Sequence, residues 1–455
     1  MNVAGKKVSI VGAAKSGLAA ANYLIKNGAS VFISDIQKED KLKAALITEG
    51  IIDLVDFEAG VHSEKILASD YIILSPGVRS DLPILLKAAQ EGVPVLSEIE
   101  AAYRLSKGKR IAVTGSNGKT TTTTLLSTIC ESHFKEVFLG GNIGIPIMKF
   151  ASQTTENSVQ VLEISSFQLE NISLFKPDIA IITNFFENHL DRYPTYQSYI
   201  DAKKRIAMNM KQDDYLILNA EQEIMRNMAK EVKCKTAWFG RNTNNLRPAI
   251  TVKNDCFVYL PEKGEEKTLF PLSQAKIPGE HNIENIMCAA LAAILMQIPE
   301  SKIEEAVKNF SGVEHRLEFV KNINGADYIN DSKGTNCAAS IIAMRACKKP
   351  LILIAGGRDK GTDLSDWVKS IRLNCKTAIL YGEAKQRFRS ALEGLVPLKI
   401  ALSFEEAVKM AHESAQPGDT VLLSPACSSY DLFLNFEIRG TRFKELVHEL
   451  DDKPI

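Results

Sequence analysis

The stretch Arg110-Ile-Ala-Val-Thr-Gly-Ser-Asn-Gly-Lys-Thr-Thr121 limits what this chain can fold into more than any other. An apolar run, a tight glycine-containing loop and a Lys-Thr-Thr start follow one another without a gap. That order predicts a buried strand over 110–114, a turn over 115–118, and a helix from Lys119 through Leu125, Leu126 and Ile129. Where a loop of this kind opens a helix, free backbone N–H groups and the positive end of the helix dipole converge on one point, which suits a phosphate. Gly115, Ser116, Asn117 and Gly118 are then the cradle, and Thr121 lies in the first helical turn. Lys119 supplies a point charge for the β- and γ-phosphates, and Thr120 a hydroxyl for Mg²⁺. The usual pattern begins with a glycine where this chain has Val113. The alternative is a strand-to-helix turn with an incidental lysine, but strand and helix stand where a phosphate loop requires them. The chain is expected to bind a nucleoside triphosphate.

Strands and helices alternate along most of the 455 residues, too many for one typical domain. Lys7-Val-Ser-Ile-Val-Gly12 reads as a strand, Gly12-Ala-Ala-Lys-Ser-Gly17 as a turn, 18–27 as an amphipathic helix, and Ser30-Val-Phe-Ile-Ser-Asp35 as a second strand. This β-α-β unit looks like a dinucleotide fold, but Ala14 stands where the middle glycine of the fingerprint belongs. A methyl group there crowds a pyrophosphate, so a different nucleotide in a shifted pose fits better; a purely structural layer is the alternative. Strands at 71–77 and 94–98 and a helix at 101–105 place a first boundary near residue 97. The central part carries strands at 136–144, 159–166, 179–184 and 215–219, and a helix over 199–206. Short alternating strands over 249–272 read as an antiparallel annex, and a long apolar helix follows through residue 295. From about residue 312, strands at 328–331, 351–356, 378–382 and 421–425 alternate with helices. The expected fold class is α/β in three domains: Rossmann-like over 1–97, a phosphate-loop ATPase-like, mostly parallel sheet with a small antiparallel annex over 98–312, and Rossmann-like over 313–455.

Charge and cysteine usage exclude other classes. Formal net charge is zero, which argues against a nucleic-acid or anionic-membrane partner held by bulk charge. The eight cysteines never form C-x-x-C, which argues for reduced thiols and against a zinc cluster or disulfide framework. The first residues lead straight into a strand with no signal peptide, and no apolar run is long enough to span a bilayer. A cytoplasmic protein is expected.

Glu163, His189 and Lys203 follow the phosphate loop at strand ends or on the next helix. In a parallel sheet those positions fall on the loop's side. A carboxylate and an imidazole near a triphosphate suit Mg²⁺, which keeps several waters and takes few protein ligands. Each alone has a plain alternative, a strand-end carboxylate and a turn histidine. Lys203, with Lys204 and Arg205 beside it, reads on composition alone as a solvated lysine. In the last region, Asn330-Asp-Ser-Lys-Gly-Thr-Asn336, Gly356-Gly-Arg-Asp-Lys-Gly361 and Ser424-Pro-Ala-Cys-Ser-Ser429 gather cations and hydroxyls at strand ends. They suit a small anion with carboxylates, or are turn chemistry alone.

Taken together, the motifs resemble those of the Mur ligases of peptidoglycan synthesis across essentially the whole chain. The resemblance rests on Thr114-Gly-Ser-Asn-Gly-Lys-Thr-Thr121, Gly141-Asn-Ile-Gly144, Glu163-Ile-Ser-Ser-Phe-Gln-Leu169, Asn188-His-Leu-Asp-Arg-Tyr193, Tyr199-Ile-Asp-Ala-Lys203, Gly279-Glu-His-Asn282, Glu314-His-Arg316, Asn330-Asp-Ser-Lys333 and Ser424-Pro-Ala-Cys427 through Asn435-Phe-Glu-Ile-Arg-Gly440. The central motifs also mark the ligases for other amino acids and folylpolyglutamate synthases. The last motifs, with Ser97-Glu-Ile-Glu100 and the turn at 12–17, look specific to the D-glutamate-adding branch.

The resemblance implies an ATP-dependent amide ligase that adds D-glutamate to UDP-N-acetylmuramoyl-L-alanine through an acyl phosphate. UDP would lie near Ser16, Gly17, Asp35, Gly77 and Asn142. ATP would meet the loop, Lys119, Asn285, Arg316 and Asp331. Thr120 and Glu163 would serve one Mg²⁺ and His189 a second, beside a CO₂-derived carbamate on Lys203, with Lys204 as the alternative position. Thr335, Lys360, Ser429 and the backbone around Phe436 would bind D-glutamate. The protein would act as a monomer. Another amino-acid-adding ligase, a nicotinamide-dependent oxidoreductase and a catalytically idle nucleotide-binding regulator are the rivals.

Overall fold

The computed structural model describes residues 2–186, 192–277, 279–347, 350–359 and 361–450. The chain forms two compact units, Met1–Ala275 with Glu280–Asn309, and Lys276–Gly279 with Phe310–Ile455.

The first unit carries two sheets. The smaller holds β1 (Lys7–Val11), β2 (Ser30–Asp35), β3 (Asp56–Ala59), β4 (Tyr71–Leu74) and β5 (Val95–Ser97) in the order β3-β2-β1-β4-β5. All are parallel. Strand order reverses beside β1, so the turn at 12–17 sits where a ligand crevice forms in sheets of this kind.

The larger sheet holds β6 (Lys109–Thr114), β7 (Val137–Gly141), β8 (Val159–Glu163), β9 (Ile179–Ile182), β10 (Tyr215–Asn219), β11 (Lys235–Phe239), β12 (Ala249–Lys253), β13 (Cys256–Leu260) and β14 (Lys267–Pro271). Their order is β14-β13-β12-β11-β10-β9-β6-β8-β7. The antiparallel strands form the small annex that the sequence suggests, joined to one edge of the large sheet. Trp238 and Phe239 of β11 pair in parallel with Ala249 and Ile250 of β12, so β12–β14 extend the same sheet. Asn254 and Asp255, at φ 48° and 55°, make the two-residue hairpin that reverses the chain. Ile111, Ala112 and Val113 of β6 and all of β9 are buried, which is why both read as unbroken apolar runs.

The second unit has one sheet: β15 (Glu318–Ile323), β16 (Ala326–Asn330), β17 (Leu351–Gly356), β18 (Cys375–Tyr381), β19 (Leu398–Ile400) and β20 (Thr420–Leu423), ordered β15-β16-β20-β17-β18-β19. It is parallel except for the β15–β16 hairpin. The interior strand β11 is an addition to the sequence analysis, and so are the edge strands β3, β15 and β19. The edge strands are short or half-exposed, with Phe319 56% exposed, so they carry no buried apolar run to betray them.

The two sheets of the first unit are joined through the helix Glu98–Tyr103, whose N-terminus Ser97 caps. It starts three residues earlier than the spacing of apolar residues predicts, because two acidic residues in its first turn are buried. Glu100 accepts the N–H groups of Ser173, Leu174 and Phe175 and the Arg104 guanidinium at 2.7 Å. Burial alone would raise its pKa, but these donors outweigh it and hold the carboxylate charged. Glu98 has less help. Its Oε1 accepts Met148 N–H at 3.0 Å while Oε2 is buried without a partner, and burial pushes its pKa up to about 7.

A carboxyl whose folded pKa lies above its ordinary 4.5 loses stability as pH rises from that value through about 7. At 1.36 kcal/mol per pKa unit, Glu98 costs the native state about 3 kcal/mol at pH 8. Glu98→Gln keeps an acceptor for Met148 and cannot ionise. Its thermal midpoint is expected to fall less than the wild type's between pH 5 and pH 8; parallel pH profiles would remove the assignment.

Candidate active site

The phosphate loop lies between β6 and the helix Lys119–Glu131. Its backbone is fixed from the neighbouring β9 end. Asn184 receives Ser116 N–H on its carbonyl at 2.9 Å and Asn117 N–H on its side-chain oxygen at 2.8 Å. Thr183 Oγ1 donates to Asn117 O at 2.6 Å. Ser116 Oγ pairs with Tyr199 OH at 3.0 Å and with the Phe186 backbone. Gly118 caps the helix at φ 82°, in the left-handed region, and a side chain there would strike Asn285 Oδ1. Asn285, 4% exposed on the helix Glu280–Leu295, thus lies against the loop. Lys119 Nζ donates to the carbonyls of Gly115 at 2.8 Å and Ser116 at 3.0 Å, which lays its charge across the loop. Thr120 and Thr121 are buried in the first helical turn.

Glu163 ends β8, opposite Val113 of β6. It is 2% exposed; Oε1 accepts Asn142 Nδ2 at 2.6 Å, and Oε2 is buried with no hydrogen-bond partner. An orphaned carboxylate oxygen beside a phosphate loop and the Thr120 helix turn fits a divalent cation. Lys203 differs from its composition-based expectation. It is 2% exposed, 3.4 Å from Thr114 Oγ1 and 4.8 Å from the Tyr199 ring centre. Burial, then the Lys119 charge, depress its pKa well below the ordinary lysine value, against the pull of Glu163. The structure therefore gathers Lys119, Glu163 and Lys203. Lys204 turns away to Glu231 at 3.6 Å. His189 lies outside the described residues.

At the turn at 12–17, Gly17 has no room for a side chain, because a Cβ would run into the Gly12 carbonyl. Ser16 is half-buried in the first turn of the helix Lys15–Lys26, and Gly77 faces open space. Asp35 is committed to backbone, accepting Ala13 N–H at 2.5 Å and Gln37 N–H at 2.8 Å, so it shapes the turn. Asn142, which the resemblance adds to these residues, donates its Nδ2 to Glu163 Oε1. Two features went unread. Ser75 Oγ is buried beside Gly12 and Gly17 without a hydrogen-bond partner. Arg192 bridges Glu170 at 2.9 Å to the Pro76 and Val78 carbonyls, over the Phe167 ring, tying the two sheets of this unit together.

In the second unit, Asp331 directly follows β16 and is 5% exposed. It accepts Ser424 Oγ at 2.7 Å and Leu317 N–H, and burial pushes its pKa up to about 7 against the nearby Arg316 charge. Thr335 follows on the same loop, half-buried. Ser429 is 2% exposed, and the Phe436 carbonyl accepts Ser332 Oγ at 2.8 Å. Lys360 lies outside the described residues. All eight cysteines are free thiols, and burial raises Cys130, Cys288, Cys347 and Cys427 to about 12. Among the described residues no metal-holding cluster of His, Cys, Asp and Glu occurs, and no helix is long and apolar enough to cross a membrane.

A mostly parallel α/β sheet with this loop, backed by a buried carboxylate and a buried lysine, defines a nucleoside-triphosphate-using protein of the phosphate-loop class. Comparison with known proteins narrows that class. Residues 6–97 match the Mur ligase MurD-like N-terminal domain, 113–293 the Mur ligase middle domain, and 315–427 the Mur ligase glutamate ligase domain. The UDP-N-acetylmuramoylalanine–D-glutamate ligase of Koribacter versatilis is 40% identical over all of this chain and 99% of its own length. That of Thermoanaerobacter pseudethanolicus is 41% identical over 99% of this chain and all of its own. Among solved structures, the UDP-N-acetylmuramate–alanine ligase MurC of Thermotoga maritima shares the fold, with a TM-score of 0.58 and 20% identity over 98% of this chain and 99% of its own. The chain belongs to the Mur ligase family.

Proposed function

We propose that this chain joins D-glutamate to UDP-N-acetylmuramoyl-L-alanine with ATP, in peptidoglycan precursor synthesis. The observation that carries the reading is the meeting of Lys119, Glu163 and Lys203 at the phosphate loop, in a chain similar along its whole length to D-glutamate ligases. The L-alanyl carboxylate attacks the γ-phosphorus of ATP, ADP leaves, and an acyl phosphate forms. The amine of D-glutamate then attacks the acyl carbon, and the tetrahedral intermediate collapses to amide and phosphate. The loop N–H groups and Lys119 offset the negative charge that accumulates at the transferring phosphoryl group.

Residues 1–97 take the UDP substrate through Ser16, Gly17 and Gly77, with Asp35 shaping the turn and the Ser75 hydroxyl adding a donor. Residues 98–312 take ATP and 313–455 take D-glutamate through Thr335, Lys360, Ser429 and the backbone near Phe436, with Arg316 and Asp331 toward the nucleotide. Mg²⁺ held by Thr120 and Glu163, and a second ion by His189 and modified Lys203, would neutralise charge between carboxylate and triphosphate; the orphaned Glu163 Oε2 supports the first site. The depressed pKa of Lys203 supplies a neutral amine, which attacks CO₂, forms an N–C bond and releases one proton, leaving an anionic carbamate. The protein is proposed to work as a cytoplasmic monomer.

The test is amino-acid-dependent phosphate release. Protein, ATP, Mg²⁺ and UDP-N-acetylmuramoyl-L-alanine are offered D-glutamate, L-glutamate, L-lysine or meso-diaminopimelate in turn. Release with D-glutamate alone, and a product heavier by one glutamyl residue, is expected. Release with a different amino acid would move the chain to another branch of the family.

A further inference from the structure

Arg439 is a fully buried cation, 0% exposed, on the helix Phe436–Glu449. Among the described residues no carboxylate lies within ion-pair distance of it; its guanidinium is spent on two loops. Nε donates to Ser332 Oγ at 3.0 Å and Nη2 to Ser332 O at 2.8 Å, while Nη1 and Nη2 both reach Cys427 O at 3.3 Å. Ser332 in turn donates to Phe436 O at 2.8 Å, closing the ring back onto the helix start. Gly357 packs against the same guanidinium, and Arg358 N–H donates to Ser428 O at 2.9 Å, so a third loop leans on the assembly. Burying a guanidinium without a carboxylate is costly unless every donor is used, and only its planar fork can hold two carbonyls and a hydroxyl at fixed angles.

The loops so joined carry the residues assigned to ligands. Asp331 and Thr335 flank Ser332, Ser429 follows Cys427 by two residues, and Phe436 begins the helix. We infer that Arg439 is a positioning residue that locks the loop at 331–335 to the loop at 424–429, so that the nucleotide-facing and amino-acid-facing edges of this unit keep one geometry. The inference rests on the proposed function for the identity of those ligands. Arg439 itself is assigned to neither: it is 0% exposed, and each of its three nitrogens donates inside the protein.

The test uses the full chain. Arg439→Lys keeps the charge and loses the fork; Ser332→Ala loses the Nε bond and the Phe436 bond but keeps the Ser332 carbonyl. With normal far-UV circular dichroism, Arg439→Lys is expected to raise KM for ATP and for the amino acid together, each about tenfold, while KM for the UDP substrate stays within about twofold. Ser332→Ala is expected to raise the same two about threefold. Unchanged KM values, or all three rising alike, in either folded variant would overturn the inference. If Arg439→Lys does not fold, Ser332→Ala decides alone by the same two outcomes. The wild type run alongside separates the two ideas: if it accepts a different amino acid, the D-glutamate assignment fails, and the strut is then tested with the amino acid that it does accept.

Discussion

Lys119→Ala is expected to lower ATP-dependent amide formation by about a thousandfold or more while leaving the fold intact. The lysine ammonium lies against the Gly115 and Ser116 carbonyls, in the loop whose backbone Thr183 and Asn184 hold in place. Removing it takes away the cation positioned for the transferring phosphoryl group. It does not disturb the cap at Gly118, and alanine suits the first turn of a helix. Phosphate release and far-UV circular dichroism are the paired measurements. Near-normal turnover in a folded variant would end the phosphate-loop assignment. A secondary effect follows from electrostatics. Lys119 is one of the charges that depress Lys203, so the pKa of Lys203 should rise in the variant.

Lys203→Ala is expected to be the other large loss, about a hundredfold or more, and the one that chemistry restores in part. A short carboxylate such as formate or acetate can stand where the carbamate oxygens would be. Lys204→Ala should be close to wild type, since Lys204 faces Glu231 and solvent. The pH sense is set by the direction of the shift. A lysine held well below 10.5 is neutral over more of the pH range, and the neutral amine is the form that takes up CO₂. Activity of the wild type in CO₂-depleted buffer should therefore fall and return on adding bicarbonate, while Lys203→Ala ignores bicarbonate and responds to formate. Intact mass should show the adduct on the wild type. No adduct and no carboxylate rescue would remove the role.

Much of this was open in the chain itself. The strands β9 and β17 are buried throughout and appear as unbroken apolar runs, β1, β6 and β8 are mostly buried and mostly apolar, and the turns between them carry glycines that the backbone needs. The phosphate loop is legible for the same reason: its parts are consecutive, and a local motif brings its own geometry. The edge strands β3, β15 and β19 were not legible, because short or half-exposed strands have no apolar signature. Nor did the changing pattern at β12–β14 tell that these strands continue the large sheet, since pairing partners are not written into a strand's own residues.

The site divides along the same line. The phosphate-loop motif marked Lys119, a strand-end carboxylate marked Glu163 and the family resemblance marked Asn285 as candidates, and zero net charge argued against bulk nucleic-acid binding. Only the tertiary structure decided which groups meet. The run Lys203-Lys204-Arg205 looks uniformly solvated in sequence, yet one turn of helix sends Lys203 under Thr114 and Lys204 to the surface. Asn142 and Glu163 are 21 residues apart and 2.6 Å in contact. Arg439 and Ser332 are 107 apart and share a buried fork. A sequence determines its own local propensities and its local motifs. Burial, pKa shifts and hydrogen bonds between distant residues arise when sheets bring strand ends together, and no local pattern encodes that juxtaposition.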